Sequence, residues 1–181
     1  MPVPPIGRRE LLRGSASLAL ALTLLAGCSR DDDKGSPLRL RVEEVQYGSD
    51  PNQSADLHVP LSEGPHQVVM IVHGGYWAVG LDRQAMRPIA EELVQIGYAV
   101  WNVDYRRVGD PGGGFPGTVE DVGAAIDHLA ELAEEHRLDL TKVAVVGHSA
   151  GSPLALWTAA REAQGIYAPG GAPRVKPAAV T

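Results

Sequence analysis

Two uninterrupted runs of mostly β-branched residues constrain the fold of this chain more than any other feature. Residues 68–72 read Val-Val-Met-Ile-Val and residues 143–146 read Val-Ala-Val-Val, and a glycine-containing segment follows each run directly. A strand that is apolar on both faces is typical of a parallel sheet covered by helices on each side. Helical patterns separate the two runs, so the sequence predicts an α/β fold with a mostly parallel sheet flanked by helices.

Further strands are predicted on both sides of these runs. Residues 38–47 alternate apolar with polar side chains, which is typical of a half-buried strand, and a short strand at 55–59 follows a turn. We therefore expect an N-terminal antiparallel hairpin. Residues 98–103 are predicted to form another core strand. Residues 175–180 are predicted to start one more, although Pro177 disfavours pairing there.

Three helices are predicted between the strands. Apolar residues at helical spacing predict the first helix, which Gly97 is expected to end: Ile89, Leu93 and Ile96. Thr118 and Asp121 are expected to open the second helix in the manner of a capping box, with a carboxylate in the first turn. The third helix is predicted over residues 150–163.

Composition excludes several classes of protein. Apolar residues make up 44% of the 181 residues and charged residues 21%, as in ordinary globular domains. The single cysteine excludes a disulfide within the chain and a zinc site built from several cysteines. No metal-binding or phosphate-loop pattern occurs, so no metal and no cofactor is expected. The net charge is −6 and no stretch is dense in Lys or Arg, so no nucleic-acid partner is expected.

The N-terminal segment has the pattern of an export signal. Arg8, Arg9 and Arg13 precede an uncharged apolar stretch at 15–26, which is too short for a membrane span of about 20 residues. Residues 8–13 resemble the twin-arginine motif, and Leu-Ala-Gly-Cys at 25–28 resembles the cleavage box of bacterial lipoproteins. An uncleaved anchor with an incidental cysteine is the alternative.

This pattern predicts how the chain is divided and where it is located. Residues 1–27 are predicted to be a lipoprotein-type signal peptide that uses the twin-arginine or the general route, and Cys28 is the predicted lipidation site. Polar residues at 28–37 predict a disordered tether, and 38–181 the folded domain. We expect an exported protein that is either held at a membrane surface or released.

Residues 147–151 read Gly-His-Ser-Ala-Gly, a G-x-S-x-G pattern between a buried strand and a predicted helix. This context predicts a nucleophile elbow, a sharp turn that exposes Ser149 as the catalytic residue. Gly147 and Gly151 would leave room for the tight turn, with His148 between Gly147 and the serine. The N–H of Ala150 would face a developing oxyanion, and the helix N-terminus would add positive potential. An ordinary glycine-rich turn is the alternative.

A second motif, His73-Gly74-Gly75-Tyr76-Trp77, follows the first core strand. Paired glycines let the backbone approach a bound carbonyl group closely. The N–H groups of Gly75 and Tyr76 are therefore predicted as further oxyanion donors, with His73, Gly74 and Trp77 supporting the loop. Both motifs follow the carboxyl end of a strand, where open parallel sheets bind their ligands.

These motifs resemble the α/β-hydrolase superfamily over roughly residues 38–163. The resemblance is closest to carboxylesterase-like members with an HGG-x-W loop, namely the hormone-sensitive-lipase-like, feruloyl-esterase-like and kynurenine-formamidase-like groups. It implies a serine hydrolase of small-molecule esters or amides that acts through a Ser149 acyl-enzyme, and it makes Asp104 and Arg106 structural. The shared segments occur in the family order: residues 73–77, 102–106, 115–116 with 120–121, and 147–151.

The histidines depart from the family pattern. In the family the triad acid and then the histidine follow the serine, whereas none of the six histidines here follows Ser149. The only later carboxylate is Glu162, on the predicted elbow helix. His73 and His148 are poor substitutes for the base. We therefore expect a C-terminally truncated hydrolase that lacks its last strands and is inactive as given.

Three functions remain open at the level of sequence. The first is a carboxylesterase whose C-terminal part is absent from this chain. The second is an amide hydrolase of the arylformamidase type, which Tyr76 slightly favours within the resemblance. The third is a non-catalytic binding module that keeps the fold without the triad, or a fragment that does not fold stably because its sheet has an unpaired apolar edge. The sequence leaves the oligomeric state open.

Overall fold

The computed structural model describes residues 39–181. The predicted signal peptide, the tether and Cys28 lie outside the described residues. The helices are α1 (Arg87–Gln95), α2 (Gly117–His136) and α3 (Gly151–Gln164), and short 3-10 helices lie at Arg83–Met86 and Gly165–Tyr167. The strands are β1 (Leu40–Gln46), β2 (Ser54–Pro60), β3 (His66–Val72), β4 (Ala99–Val103), β5 (Leu138–Gly147) and β6 (Ala179–Val180).

The six strands form one mixed sheet in the order β1-β2-β4-β3-β5-β6. β3 runs parallel to β4 and β5, and β6 runs parallel to β5, which confirms the predicted parallel core. β1 and β2 form the predicted antiparallel hairpin, which joins the sheet through β4. The predicted strand at 175–180 is shorter than expected: its ladder begins at Ala178, whose N–H donates to Val143 O, directly after Pro177. Proline has no N–H to donate, so pairing starts beyond it.

Helices cover both faces of the sheet, as predicted. Alternate residues of β3 point to opposite sides: Val68, Met70 and Val72 join the core with α2 and α3, whereas Val69 and Ile71 join the core with α1. A strand with large apolar residues on both sides is stable only between two helical layers. The continuous apolar run therefore has its expected environment.

The helix predicted before Gly97 is present as α1, but the apolar residues that indicated it do not all face the sheet. Ile89 is 46% exposed and Ile96, just past the helix, is 70% exposed, whereas Ala90 and Val94 are buried against the sheet. The sequence carries two adjacent apolar stripes at helical spacing, and either satisfies the pattern. The stripe with smaller side chains faces the sheet.

The predicted capping box is also wrong. The first residue of α2 is Gly117, and no side chain caps the helix. The Thr118 hydroxyl donates to Arg106 O and accepts from Gly114 N–H. The Asp121 carboxylate accepts two bonds from the Arg106 side chain, at 2.6 and 2.8 Å. Both residues therefore hold the loop before the helix in place instead of capping the helix.

A buried ion pair joins α2, α3 and the segment that follows α3. Arg161 of α3 is fully buried, and its Nη2 donates to Asp127 Oδ2 of α2 at 2.7 Å. The other oxygen of Asp127 accepts the backbone N–H groups of Arg174 and Val175. Arg161 Nη2 also donates to Gly171 O. Two charged side chains thus anchor the main chain that leads to β6.

Within residues 39–181, none of the helices combines the length and apolar character needed to cross a bilayer. The same residues contain no cluster of three or more His, Cys, Asp or Glu side chains suited to hold a metal ion.

Candidate active site

The turn at residues 147–151 places Ser149 at the carboxyl edge of the sheet. Ser149 is exposed, and its backbone φ of 52° lies in the left-handed region that non-glycine residues rarely adopt. His148 N–H donates to Val72 O at 3.0 Å, which ties the turn to the end of the neighbouring strand. α3 begins two residues after Ser149, so the N-terminus of a 14-residue helix lies beside the serine.

Close backbone approaches explain the two glycines of this turn. A Cβ on Gly147 would lie 2.5 Å from Gly151 O and from Ser152 Cα. A Cβ on Gly151 would lie 2.2 Å from Val72 O and 2.7 Å from His73 O. Each obstacle is main chain and has little freedom to move, so any larger residue would force the turn apart.

The loop at residues 73–77 packs directly against the turn. A Cβ on Gly74 would lie 2.7 Å from His148 O and 3.0 Å from Ser149 Cβ, so the two segments are in van der Waals contact there. The structure therefore brings both predicted motifs together at one edge of the sheet.

Unusual backbone geometry is concentrated at this contact. Gly75, Tyr76 and Trp77 are successive residues with positive φ, at 116°, 56° and 58°. Within residues 39–181, four non-glycine residues have positive φ, and three of them are Tyr76, Trp77 and Ser149. The fourth, Arg137, follows α2 as its C-cap, where a left-handed residue is common. Left-handed non-glycine residues are costly and cluster at functional sites.

His73 is buried behind the loop, and both of its ring nitrogens face oxygen atoms. Nδ1 donates to Gly74 O at 2.7 Å, and Nε2 lies 3.2 Å from Asp104 Oδ1. The ring stacks on Tyr105 with a centroid distance of 4.3 Å, and the Tyr105 hydroxyl donates to His73 O at 2.8 Å. Burial raises the pKa of the Tyr105 phenol, so this group remains a donor at neutral pH.

Asp104 connects this cluster to the chain after the loop. Its Oδ1 accepts the backbone N–H of Arg83 at 2.8 Å, and its Oδ2 lies 2.5 Å from Arg83 Nη1. Burial raises the pKa of Asp104, but the hydrogen bonds with His73 and Arg83 lower it more, and the net pKa is below its ordinary value. Arg83 also pairs with Asp56 at 2.9 Å. The loop is thus supported by a charged network.

A cavity of about 400 Å³ opens beside the turn and the loop. Trp77 and the first turn of α3 line one part, and the loop before α2 lines another. At its mouth Phe115 is 84% exposed. The lining side chains are almost all apolar: Trp77, Val108, Phe115, Thr118, Val119, Pro153, Leu154 and Trp157, together with Gly114.

Among the histidines, only His73 and His148 lie at this edge. His148 is exposed, and its Nδ1 lies beside Gly74. Glu162, the carboxylate that follows Ser149 in the chain, is exposed and pairs with Lys176. The other histidines lie elsewhere: His58 within β2, His66 at the start of β3, and His128 and His136 on α2.

Sequence reasoning missed the residues that position the site from behind. No motif surrounds Arg83. Because an isolated arginine is normally a surface residue, its neighbours in the sequence do not indicate that it belongs to the site. Trp157 and Arg161 were not singled out, although Leu154, Trp157 and Arg161 follow helical spacing on one stripe of α3. This stripe is the signal that could have identified them.

Comparisons with known proteins agree on one family. The profile described as BD-FAE matches residues 55–167. The chain is 30% identical to the "Probable isoprenylcysteine alpha-carbonyl methylesterase ICMEL1" of Arabidopsis thaliana over 115 residues, which cover 63% of this chain and 24% of that protein. It is 34% identical to the "Carboxylesterase NlhH" of Mycobacterium tuberculosis, over 62% of this chain and 35% of that one.

Solved structures of esterases share the fold. Esterase B from Lactobacillus rhamnosis superposes with a TM-score of 0.67 and 26% identity, over 94% of this chain and 56% of that chain. A bacterial heroin esterase superposes with a TM-score of 0.60 and 31% identity, over 90% of this chain and 50% of that chain. The chain therefore spans about half the length of these structures and about a quarter to a third of the curated relatives.

Proposed function

Because this chain belongs to the BD-FAE family of carboxylesterase-like α/β hydrolases, we propose that it carries the nucleophile and oxyanion-binding half of a serine carboxylesterase site. The observation that carries the proposal is the backbone of Ser149. This residue is exposed and left-handed at a strand–helix turn, in contact with the glycine loop. That geometry serves a nucleophile, because it lifts one hydroxyl clear of the sheet.

The proposed chemistry is acyl transfer through Ser149. Its Oγ forms a bond to the ester carbonyl carbon, and the carbonyl oxygen becomes an oxyanion. The N–H of Ala150 and the N–H groups of Gly75 and Tyr76 donate to that oxygen. The C–O bond to the alcohol then breaks, and the alcohol leaves with the proton that the Ser149 hydroxyl gave up. Water later attacks the acyl-enzyme, which releases the acid and returns a proton to Ser149 Oγ. One oxyanion donor is typically worth a factor of about 10²–10³ in rate.

Ser149 needs a proton acceptor, and we propose that residues 1–181 do not supply one. Both nitrogens of His73 face Gly74 O and Asp104. His148 is the adjacent residue on a strained turn, and Glu162 is paired with Lys176. Without a base, Ser149 remains a hydroxyl of ordinary reactivity. A well-formed oxyanion site alone retains about 10³–10⁴-fold acceleration over water.

An ester is the proposed substrate class in preference to an amide. The relatives and the solved structures at 25–34% identity are named as a methylesterase, a carboxylesterase and esterases. Tyr76 in the loop favoured the formamidase-like alternative at the level of sequence. That alternative predicts faster cleavage of an aryl formamide than of the matching aryl ester.

Labelling with a serine-directed fluorophosphonate tests the nucleophile. The 181-residue chain is compared with an extended form, in which the remaining C-terminal part of esterase B follows Thr181, each with and without Ser149→Ala. We expect rapid labelling of the extended form only, lost in Ser149→Ala, together with hydrolysis of short-chain aryl esters. Ser62→Ala, at an exposed position in the loop before β3, is the matched serine control and should label like the parent.

Each contrary result has a definite meaning. Full activity of the extended Ser149→Ala variant would show that another residue is the nucleophile. A folded extended form that neither labels nor hydrolyses esters would favour the binding module. Rapid Ser149-dependent labelling of the 181-residue chain would show that His73 or His148 acts as a base.

We also propose that the protein is exported and attached to a membrane surface through a lipid on Cys28. The support is the sequence pattern around Arg8, Arg9 and Cys28. In a membrane-fractionation experiment, Cys28→Ser should release the mature protein. A Cys28→Ser protein that stays in the membrane and keeps residues 1–27 would indicate an uncleaved anchor instead. Replacing Arg8 and Arg9 with Lys should block export if the twin-arginine route is used, whereas unchanged export indicates the general route.

A further inference from the structure

The apolar cavity beside Ser149 has a wall whose position is fixed from behind. Trp157 forms part of this wall, on the same stripe of α3 as Leu154. The indole ring reaches Gly123 of α2: a Cβ on Gly123 would lie 3.1 Å from Trp157 Cη2. A residue larger than glycine at this position would press on the ring. Because residue 123 is glycine, the indole ring can pack close to the backbone of α2, and this leaves more room in the cavity.

Arg161 also packs on the ring, and a Cβ on Gly123 would lie 3.1 Å from Arg161 Cζ as well. Its guanidinium carbon lies 5.4 Å from the centre of the Trp157 ring, within the range of a cation–π contact. Arg161 is fully buried, donates to Gly123 O at 3.1 Å and pairs with Asp127. Because these bonds fix the position of the guanidinium, the indole ring that packs on it has a fixed position in the cavity wall.

The lining presents almost no polar surface to a ligand. Thr118 is the single hydroxyl among its lining residues, and this hydroxyl already donates to Arg106 O and accepts from Gly114 N–H. A ligand hydroxyl that is buried without a hydrogen-bond partner loses its hydration and forms no hydrogen bond that compensates for the loss. The lining thus selects an apolar group that carries no hydroxyl or charge.

We propose that this cavity binds one unsubstituted apolar group of the ester substrate, and that Trp157 sets the longest group that fits. The proposal rests on the proposed function for the identity of the substrate. The cavity lies about one helical turn from Ser149, because Pro153 and Leu154 of its lining belong to the first turn of α3 and Trp77 ends the loop that touches Ser149. Trp157 is a specificity-determining residue, and Gly123 and Arg161 are positioning residues.

Binding of simple alcohols to the 181-residue chain tests the cavity without requiring hydrolysis. Tryptophan fluorescence is titrated with straight-chain alcohols of increasing length, since Trp77 and Trp157 both line the cavity. Affinity should rise about fourfold per methylene while the chain fits and then level off. Hexane-1,6-diol should bind about tenfold or more weakly than 1-hexanol. Equal binding of the two would overturn the apolar assignment.

Three variants test the role of Trp157. Trp157→Leu should extend the rise in affinity to alcohols longer by several methylenes, with Trp77 as the remaining reporter. Gly123→Ala should shorten it, because the new Cβ displaces the ring into the cavity. Leu156→Ala is the matched control on the same helix, 61% exposed and outside the lining, and should leave the length profile unchanged. An unchanged profile in folded Trp157→Leu and Gly123→Ala would overturn the proposal.

The same variants in the extended, active form assign the group to one side of the ester. Two series of esters are compared, one that varies the acyl chain and one that varies the alcohol. The length limit should move with Trp157→Leu in one series only, and a shift in neither series would overturn the proposal. Since alcohol binding does not use the hydroxyl of Ser149, Ser149→Ala should bind alcohols like the parent. This result separates failure of the cavity from failure of the proposed function.

Discussion

The 147–151 turn and the 73–77 loop touch at Gly74, yet different interactions hold them. The turn is fixed by main-chain hydrogen bonds and by backbone approaches that only glycine permits at Gly147 and Gly151. The loop is supported from behind by ionisable side chains, chiefly Asp104 and Arg83. The turn should therefore be sensitive to added volume and indifferent to pH, whereas the loop should respond to charge.

This difference teaches where each segment can vary. A closely packed turn is disrupted when one carbon is added to a glycine, because the backbone atoms on both sides cannot move away. A charged network fails when one partner is removed, because the remaining charge stays buried without compensation. The experiments below break one segment at a time.

The largest effect is expected for Gly151→Ala. Its Cβ would lie 2.2 Å from Val72 O, so the turn and the end of β3 must separate. The free energy of unfolding, measured by denaturant titration, should fall by about 4 kcal/mol or more. Gly97→Ala is the control: Gly97, unlike the helical Gly151, has positive φ, at 98°, but its Cβ would meet nothing within 4 Å. It should lose only about 1 kcal/mol, and an equal loss in both variants would contradict the steric explanation.

The next effect is expected for Asp104→Asn. The change removes the closest of the three carboxylates around Arg83, whereas Asp56 and the more exposed Glu44 remain paired with it at 2.9 Å. The loss of unfolding free energy should be about 3 kcal/mol, the lower end for a broken buried pair. Glu91→Gln removes an exposed ion pair with Arg87 on α1 and should leave the stability unchanged. A stable Asp104→Asn protein would show that packing alone holds the loop.

The pH dependence of stability should separate the two segments further. The pKa of folded Asp104 lies below its ordinary value, so its contribution is complete above about pH 4 and is lost as the pH falls through the folded value. Unfolding experiments between neutral pH and pH 2.5 should therefore show that the difference in unfolding free energy between the parent and Asp104→Asn becomes smaller in acid. The difference in unfolding free energy between the parent and Ser149→Gly should not change with pH. A constant gap for Asp104→Asn would exclude the charged network as its cause.

The smallest effect is expected at the strained serine itself. Ser149→Gly relieves the left-handed backbone, whereas Ser149→Ala keeps a Cβ there, so the Gly variant should be more stable by about 1 kcal/mol. At Ser152, within α3, the order should reverse by about 0.5 kcal/mol, because glycine is the poorer helix former. Thermal or chemical unfolding of the four variants measures both differences. The same order at both positions would argue against strain at Ser149.

The elements whose signals are local were predictable from the sequence. The apolar residues of β3 themselves predict that both of its faces are buried. The glycines of both motifs predict close contacts, because each is needed where other atoms lie within a few ångströms of its backbone. The buried stripe of α1 was not predictable, because Ile89 and Ala90 belong to adjacent stripes and only the sheet decides between them.

The supporting residues of the site were hidden for a related reason. The Arg83–Asp104 pair and the Gly123–Trp157 contact join residues that are far apart in the chain, so nothing in either local sequence indicates the partner. A buried arginine such as Arg161 runs against the usual preference of charged residues for the surface. Contacts between residues this far apart in the chain can be identified only from the three-dimensional structure.

The Asp127 anchor has a consequence for engineering the chain after α3. Asp127 and Arg161 capture the N–H groups of Arg174 and Val175 and the carbonyl of Gly171, and all of these are main-chain atoms. Attachment through the backbone does not depend on the side chain of Ala172, which is exposed between these contacts, whereas Val175 is buried in the core. Position 172 is therefore suited to carry an attached reporter group, provided that Asp127 and Arg161 stay in place.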